Sequence, residues 1–304
     1  MCKFNVLGIE TSADVCSVAL HYKDELTWAH EVVERQQASL LLPMIERLLG
    51  QSALTLKQLD AIAFSCGPGS FTGVRLAVSV AQGLAYGSGL PVVSVSSLQV
   101  LAQGVVTESM ATAATSISPK NIPSKNICTE NTPSKNVRQE NILRENIYMQ
   151  NISPKNISPK NILVVTDAYV NEVYCGAYRY DYSGYDCSEL NNLGYVQVMI
   201  PDRRCKPNEI NLSIFGDINA SSEGYVFSET SWVGVGNGWS IYSEILQAEI
   251  LRQRIPKIIE INASLHPHAR DLVYLARKKM EAGEFLLPES ATPNYLYDAG
   301  RWGQ

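Results

Sequence analysis

The chain has 304 residues, a formal net charge of −5 and 45 % hydrophobic residues. That suits two domains, or one domain of two lobes, with a real buried core, and the acidic balance is a poor footprint for a protein that grips nucleic acid unaided. The seven cysteines (Cys2, Cys16, Cys66, Cys128, Cys175, Cys187 and Cys205) are odd in number and include no Cys-x-x-Cys pair, so reduced thiols in a cytoplasmic protein are expected rather than a disulfide framework or a structural zinc site.

In chain order, Phe4 to Ile9 reads as a buried strand, followed by the polar turn Glu10-Thr11-Ser12-Ala13-Asp14 and by strands at Val15 to Leu20 and Glu25 to Glu31. No signal-peptide core precedes them, and no apolar run approaches the roughly 18 residues of a membrane helix. Gln37 to Leu49 reads as a helix with Leu40, Leu41, Met44, Ile45, Leu48 and Leu49 over more than one face; Pro43 raises an alternative start near Leu42. A helix this apolar lies in a core or meets a partner.

After the short strand Ala61 to Phe64 comes Ser65-Cys66-Gly67-Pro68-Gly69-Ser70-Phe71-Thr72-Gly73-Val74-Arg75, leading into a helix through Val74, Val78, Ala81 and Leu84. Glycines at a strand-to-helix turn serve an anion at the helix N-terminus or close packing against another backbone. No Lys-Ser or Lys-Thr follows, so the turn is not a Walker A loop. Pro91 to Val95 reads as the next strand, and Ser96 or Ser97 caps a helix through Ala102.

Asn recurs at 121, 126, 131, 136, 141, 146, 151, 156 and 161, in units close to Asn-Ile-Ser-Pro-Lys. A pentapeptide β-helix would bury Lys120, Lys125, Glu130, Lys135 and Glu140 without partners, which is prohibitive. Residues 106–160 are therefore read as a disordered low-complexity insertion between an N-terminal lobe, 1–105, and a C-terminal lobe, 161–304. In that second lobe Ile162 to Thr166, Glu172 to Tyr180, Tyr195 to Ile200, Trp232 to Val235 and Ile258 to Ile261 read as strands. Trp239 to Glu249 and Pro267 to Ala282 read as helices, the latter packing back on the first lobe.

The string GPGSFTGVRLAVSVAQGLA resembles the signature of the TsaB (YeaZ) family. Further segments agree in order: VLGIETSADVCSVAL, QQASLLLPMIERLL, VVTDAYVNEVYCGAY, VGNGWSIY, and PHARDLVYLARKKMEAG followed by ATPNYLYD. The resemblance implies an α/β, actin-like or hexokinase-like (ASKHA) two-lobed fold with a degenerate nucleotide site, formed by Glu10, Thr11, Ser12, Gly67, Gly69 and Ser70. Active ATPases of that class carry Asp-x-Gly-Thr where this chain has Glu10 and Ser12. It implies a non-catalytic, dimerisation-type subunit of tRNA threonylcarbamoyladenosine synthesis, with no catalytic or metal residues and no cofactor of its own. The implied partners are a TsaD-type catalytic paralogue, a TsaE-type ATPase, tRNA indirectly through the complex, and a second copy as a homodimer, with no membrane. In the family the two apolar helices meet the partner's equivalents, which points to Leu41, Met44, Ile45, Leu48, Val74 and Val78. Tyr169 and Tyr297 stand where the family has Arg, removing a cation and its planar donor fork from each loop.

The rivals are an independent glycoprotease-like hydrolase, an ATPase, and a repeat-mediated interaction protein. The catalytic relative's His-x-x-x-His pair is absent, and Ser96 to Ala102 occupies the comparable place. His266-Pro267-His268 is a poor chelate, read as a surface pair. Ser70 lacks a Gly-x-Ser-x-Gly elbow, and Asp167 and Glu172 read as solvated loop carboxylates.

Overall fold

A computed structural model of the chain describes residues 4–23, 25–116, 143–144, 161–181, 194–210, 232–253 and 258–296. The alternating and fully apolar runs form two mixed sheets. In the first, β1 (Val6–Glu10), β2 (Val15–Tyr22) and β3 (Glu25–Val32) make an antiparallel meander, and β4 (Ala61–Ser65) and β5 (Val92–Val95) extend it in parallel from β1. The two-residue β6 (Leu143–Arg144) adds to the β3 edge opposite Thr27 and Trp28.

The second sheet contains β7 (Asn161–Asp167), β8 (Val173–Asp181), β9 (Tyr195–Cys205), β10 (Trp232–Val235) and β11 (Ile258–Asn262). Its order, β11-β10-β7-β8-β9, repeats β5-β4-β1-β2-β3 of the first, with the same parallel and antiparallel pairings. The chain thus builds one five-strand plan twice.

The helices are α1 (Gln37–Gln51), α2 (Phe71–Ser88), α3 (Ser97–Ser116), α4 (Gly238–Ile241), α5 (Ser243–Gln253) and α6 (Ala269–Glu281). Side chains alternate across a strand, so each sheet has two faces to cover. Leu7, Ile9, Val18, Leu20, Ile62 and Phe64 pack under α1 and α2. Val6, Ala19 and Ala63 on the opposite face meet α3 and α6, which also cover Ile162, Val164 and Tyr178 of the second sheet. Leu163, Val165 and Val173 face Trp239 and Leu246 of α4 and α5. Gly8 leaves room for α6: a Cβ there would lie 2.6 Å from Val273.

Two polar ties cross the central layer. Thr107 of α3 donates to Asp271 of α6 at 2.8 Å. Asp202 of β9 accepts from the hydroxyls of both Ser96, at the start of α3, and Tyr178.

The helix expected to run through Ala102 continues to Ser116, because Val105, Val106 and Met110 are buried in the layer between the sheets. The expected boundary at 105/106 therefore falls within α3, and 106–116 are helical. Apart from Leu143 and Arg144, residues 117–160, with their Asn repeats, lie outside the described residues. α1 starts at Gln37 and carries an exposed Pro43, rather than starting near Leu42. The helix expected from Trp239 to Glu249 breaks at Tyr242 into α4 and α5.

Candidate functional site

The glycine turn between β4 and α2 folds onto the turn after β1. Ser70 caps α2, its hydroxyl accepting from the Gly73 amide at 3.4 Å. The Ser70 amide donates to the Ser12 carbonyl at 2.7 Å, and the Thr11 hydroxyl donates to the Gly73 carbonyl at 2.7 Å. A Cβ at Gly69 would collide with the Ser12 carbonyl oxygen, and one at Gly73 with that of Thr11. Gly67 holds a φ of +96°, a backbone region that favours glycine.

Glu10 organises this junction. It is fully buried, and its two oxygens accept separately from the Ser12 amide, at 2.6 Å, and from the Ser65 hydroxyl. Burial raises its pKa above the usual carboxylate range, while the bonds from Ser12 and Ser65 pull the other way. Sequence-selected Glu10, Thr11, Ser12, Gly67, Gly69 and Ser70 do converge, and Glu10, Thr11, Ser12 and Ser70 are bonded to one another or to Ser65 and Gly73. The amides of Ser70 and Gly73, which a phosphate would need, already have acceptors inside the chain.

Beside this junction lies a cleft of about 130 Å³ lined by Gly69, Phe71, Tyr174, Arg204, Asn294 and Tyr295 among others. Arg75 stacks on Phe71, 3.5 Å from the ring centre, and its Nε donates to the Tyr295 hydroxyl at 2.6 Å. Arg204 pairs with Glu172 at 2.5 Å. Asp167 accepts from the Tyr242 hydroxyl at 2.8 Å and from the Tyr169 amide at 3.2 Å. Asp167 and Glu172 are thus engaged with separate partners, not the solvated loop carboxylates expected.

Leu41, Met44, Ile45, Leu48, Val74 and Val78, selected as partner-facing, are all buried in the core under the first sheet. The periodicity that made them conspicuous is the signature of this chain's own packing. The outward sides of the same helices carry Leu42, Pro43 and Glu46 on α1 and Phe71, Thr72, Ser79, Gly83, Tyr86 and Gly87 on α2, all exposed. A Cβ at Gly83 or Gly87 would meet nothing within 4 Å. Residue type alone did not separate these faces; the 100° step of the helix, anchored on the sheet, does.

Both members of the His266–His268 pair are half-buried, and His268 has a structural role. His268 caps α6 through its Nδ1, which accepts from the Arg270 amide at 3.0 Å, and its ring stacks on His30 at 4.4 Å. Burial, with Arg270 and neighbouring histidines nearby, pushes the His30 pKa down to about 4 and His268 well below its ordinary value. Among the described residues no three His, Cys, Asp or Glu side chains converge as a metal site. Sequence reasoning missed Ser65, Asp202, Tyr178 and the Arg204–Glu172 pair, because strand residues that bond across the fold carry no local spacing signal. Tyr169, at the exposed β7–β8 tip, and its neighbours Val170 and Asn171 all hold positive φ. Tyr297 lies outside the described residues.

Two copies of one α/β plan packed on the shared layer of α3 and α6, the first with its glycine turn closed on the turn after β1, define the class of fold. The family model for TsaD, tRNA N6-adenosine threonylcarbamoyltransferase, matches residues 30–118. The tRNA threonylcarbamoyladenosine biosynthesis proteins TsaB of Haemophilus influenzae and Escherichia coli are 48 % identical over 103 residues and 44 % over 100. These stretches cover 34 % and 33 % of this chain, and the chain spans less than half of each relative, 44 % and 43 %. The structure of YeaZ from Pseudomonas aeruginosa superposes with a TM-score of 0.65 at 28 % identity, covering 96 % of this chain and 100 % of that one. Over these stretches, and in fold across nearly its whole length, the chain is similar to the TsaB/YeaZ proteins.

Proposed function

We propose that this chain is the non-catalytic subunit of a tRNA threonylcarbamoyladenosine synthesis complex, an actin-like two-lobed protein whose nucleotide site is degenerate. One observation carries the reading: the glycine turn is closed on the Thr11–Ser12 turn, with the Ser70 and Gly73 amides bonded within the chain and no room at Gly69 or Gly73 for anything beyond the neighbouring backbone. The repeated five-strand order supports the actin-like class. Kinship with a threonylcarbamoyltransferase of Nitrosospira multiformis, 31 % identical over 111 residues, supports a paralogous partner of that type.

On this reading the exposed sides of α1 and α2 dock on the equivalent helices of the TsaD-type subunit. The chemistry and any metal then lie on that subunit, a TsaE-type ATPase joins the pair, and tRNA is reached through the complex. A second copy of this chain competes for the same face. The compartment is cytoplasmic; among the described residues no helix is long and apolar enough to cross a membrane. Residues 117–160 are dispensable for this assembly.

The test is co-purification with a TsaD-type protein. Gly83→Trp places a large ring on the outward face of α2 where nothing else stands, so capture should drop at least about ten-fold with the thermal midpoint unchanged. Replacing residues 117–160 with a short Gly-Ser linker should leave capture intact. Capture unaffected by Gly83→Trp would refute this docking face. Micromolar ATP binding by the isolated chain, with turnover lost in Glu10→Ala, would refute the non-catalytic reading.

A further inference from the structure

Strands β8 and β9 bring two cysteines together at a place the glycine turn does not use. The register pairs Val173 with Cys205 and Cys175 with Arg203, so Cys175 and Cys205 are diagonal neighbours on one face of the sheet. Their sulfurs are 3.7 Å apart. A disulfide is about 2.05 Å long, so closure asks for about 1.7 Å of approach from two side chains that already face each other. Cys175 is buried and Cys205 is partly exposed, which leaves the pair an approach for a small solute from the Cys205 side. They are one motif that spacing never suggested: 30 residues separate them, with no Cys-x-x-Cys signal.

The two thiols are not equivalent. The contact with the Cys205 sulfur, and the Arg203 side chain, bring the Cys175 pKa down to about 7 against its burial. The same contact pushes Cys205 far up. The thiolate is the nucleophile toward peroxides and disulfides, so Cys175 is the attacking sulfur and Cys205 the neighbour placed to resolve it.

We propose that Cys175 and Cys205 form a reversible dithiol–disulfide site whose oxidant is hydrogen peroxide. The Cys175 thiolate attacks one peroxide oxygen, the O–O bond breaks, and the hydroxide released takes a proton to become water. Cys175 is left as a sulfenic acid. The Cys205 sulfur then attacks the Cys175 sulfur, forming the S–S bond; the hydroxyl departs with the Cys205 proton as a second water. Two thiols are oxidised by two electrons and one peroxide is reduced to two waters. The bond would tie β8 to β9 three residues from Asp202, whose bonds to Ser96 and Tyr178 join the two sheets.

The full chain, reduced and then exposed to an equimolar amount of hydrogen peroxide, is blocked with N-ethylmaleimide, digested and mapped by mass. The expected product is a Cys175–Cys205 linked peptide, lost on dithiothreitol treatment and formed before any other cysteine is consumed. Its rate of formation should rise with pH through a midpoint near 7, following Cys175. In Cys205→Ser the reaction should stop at a Cys175 sulfenic acid that dimedone traps, and in Cys175→Ser the Cys205 thiol should stay free. Circular dichroism checks the fold of each variant; should either unfold, the wild-type map decides alone. Both thiols fully alkylated after peroxide, or linkage of either one to Cys128 or Cys187 instead, would overturn the proposal.

Discussion

The turn from β4 into α2 and the turn from β10 into α4 occupy the same place in the two copies of the strand plan, and both are rich in glycine. Each glycine stands against the end of a neighbouring strand: Gly69 and Gly73 against Ser12 and Thr11 after β1, Gly236 and Gly238 against Val165 on β7. The first turn is locked by a buried carboxylate and two hydroxyls, from Glu10, Ser65 and Thr11, and it launches an 18-residue helix. The second is tied by surface groups, with the Asn237 side chain accepting from the Asp167 amide at 2.9 Å, and it launches a four-residue helix. Glycine at a strand-to-helix turn therefore reports close backbone approach in both copies. It does not by itself report a bound anion.

The largest expected effect is at the tighter turn. Gly73→Ala drives a methyl into the Thr11 carbonyl, a backbone atom that cannot swing aside. We expect a loss on the order of 4 kcal/mol in chemical denaturation. A loss under about 1 kcal/mol would mean that the two turns are not sealed together. Glu10→Ala comes next: it orphans the Ser12 amide and the Ser65 hydroxyl in the core and should cost about 3 kcal/mol, most of it recovered in Glu10→Gln, which keeps an acceptor.

Gly236→Ala should cost about 2 kcal/mol. It combines a φ of +103° with a Cβ 2.5 Å from the Val165 carbonyl, on a turn whose helix is short enough to shift. Should it cost more than Gly73→Ala, the first copy is not the more rigid one. Ile45→Glu belongs with these folding defects rather than with the docking variants, because Ile45 is buried under the first sheet. Its thermal midpoint should fall in the absence of any partner.

The smallest effect is in pH dependence. His30, with a folded pKa of about 4 against an ordinary 6.5, binds fewer protons folded than unfolded between those values. Its neutral stacking on His268, with His266 and Arg270 close by, therefore contributes stability that is present above about pH 6.5 and lost as pH falls toward 4. Relative to wild type, His30→Phe should gain stability across that window. Parallel curves would show that the ring titrates normally. Glu10, Glu108, Asp202 and Asp271, all raised by burial, act in the opposite direction, which is why the difference between variant and wild type is the useful measurement.

Local pattern in the sequence was enough to find every described strand but β6, which fell in the stretch read as disordered, α2 with its Ser70 cap, α6 with its proline and trailing glycine, and the turns that converge at Glu10. Each depends on short-range physics: alternation, capping, or the backbone freedom of glycine. Tertiary structure decided the rest. Whether Leu41, Ile45 and Val78 point to a partner or inward depends on which side of the helix the sheet lies, and a stripe of apolar residues reads the same in both cases. The extension of α3 to Ser116 rests on burial between two sheets that no local window contains. The bonds of Asp202 and the meeting of Cys175 with Cys205 come from strand register, which sets residues far apart in the chain side by side and leaves no periodicity behind.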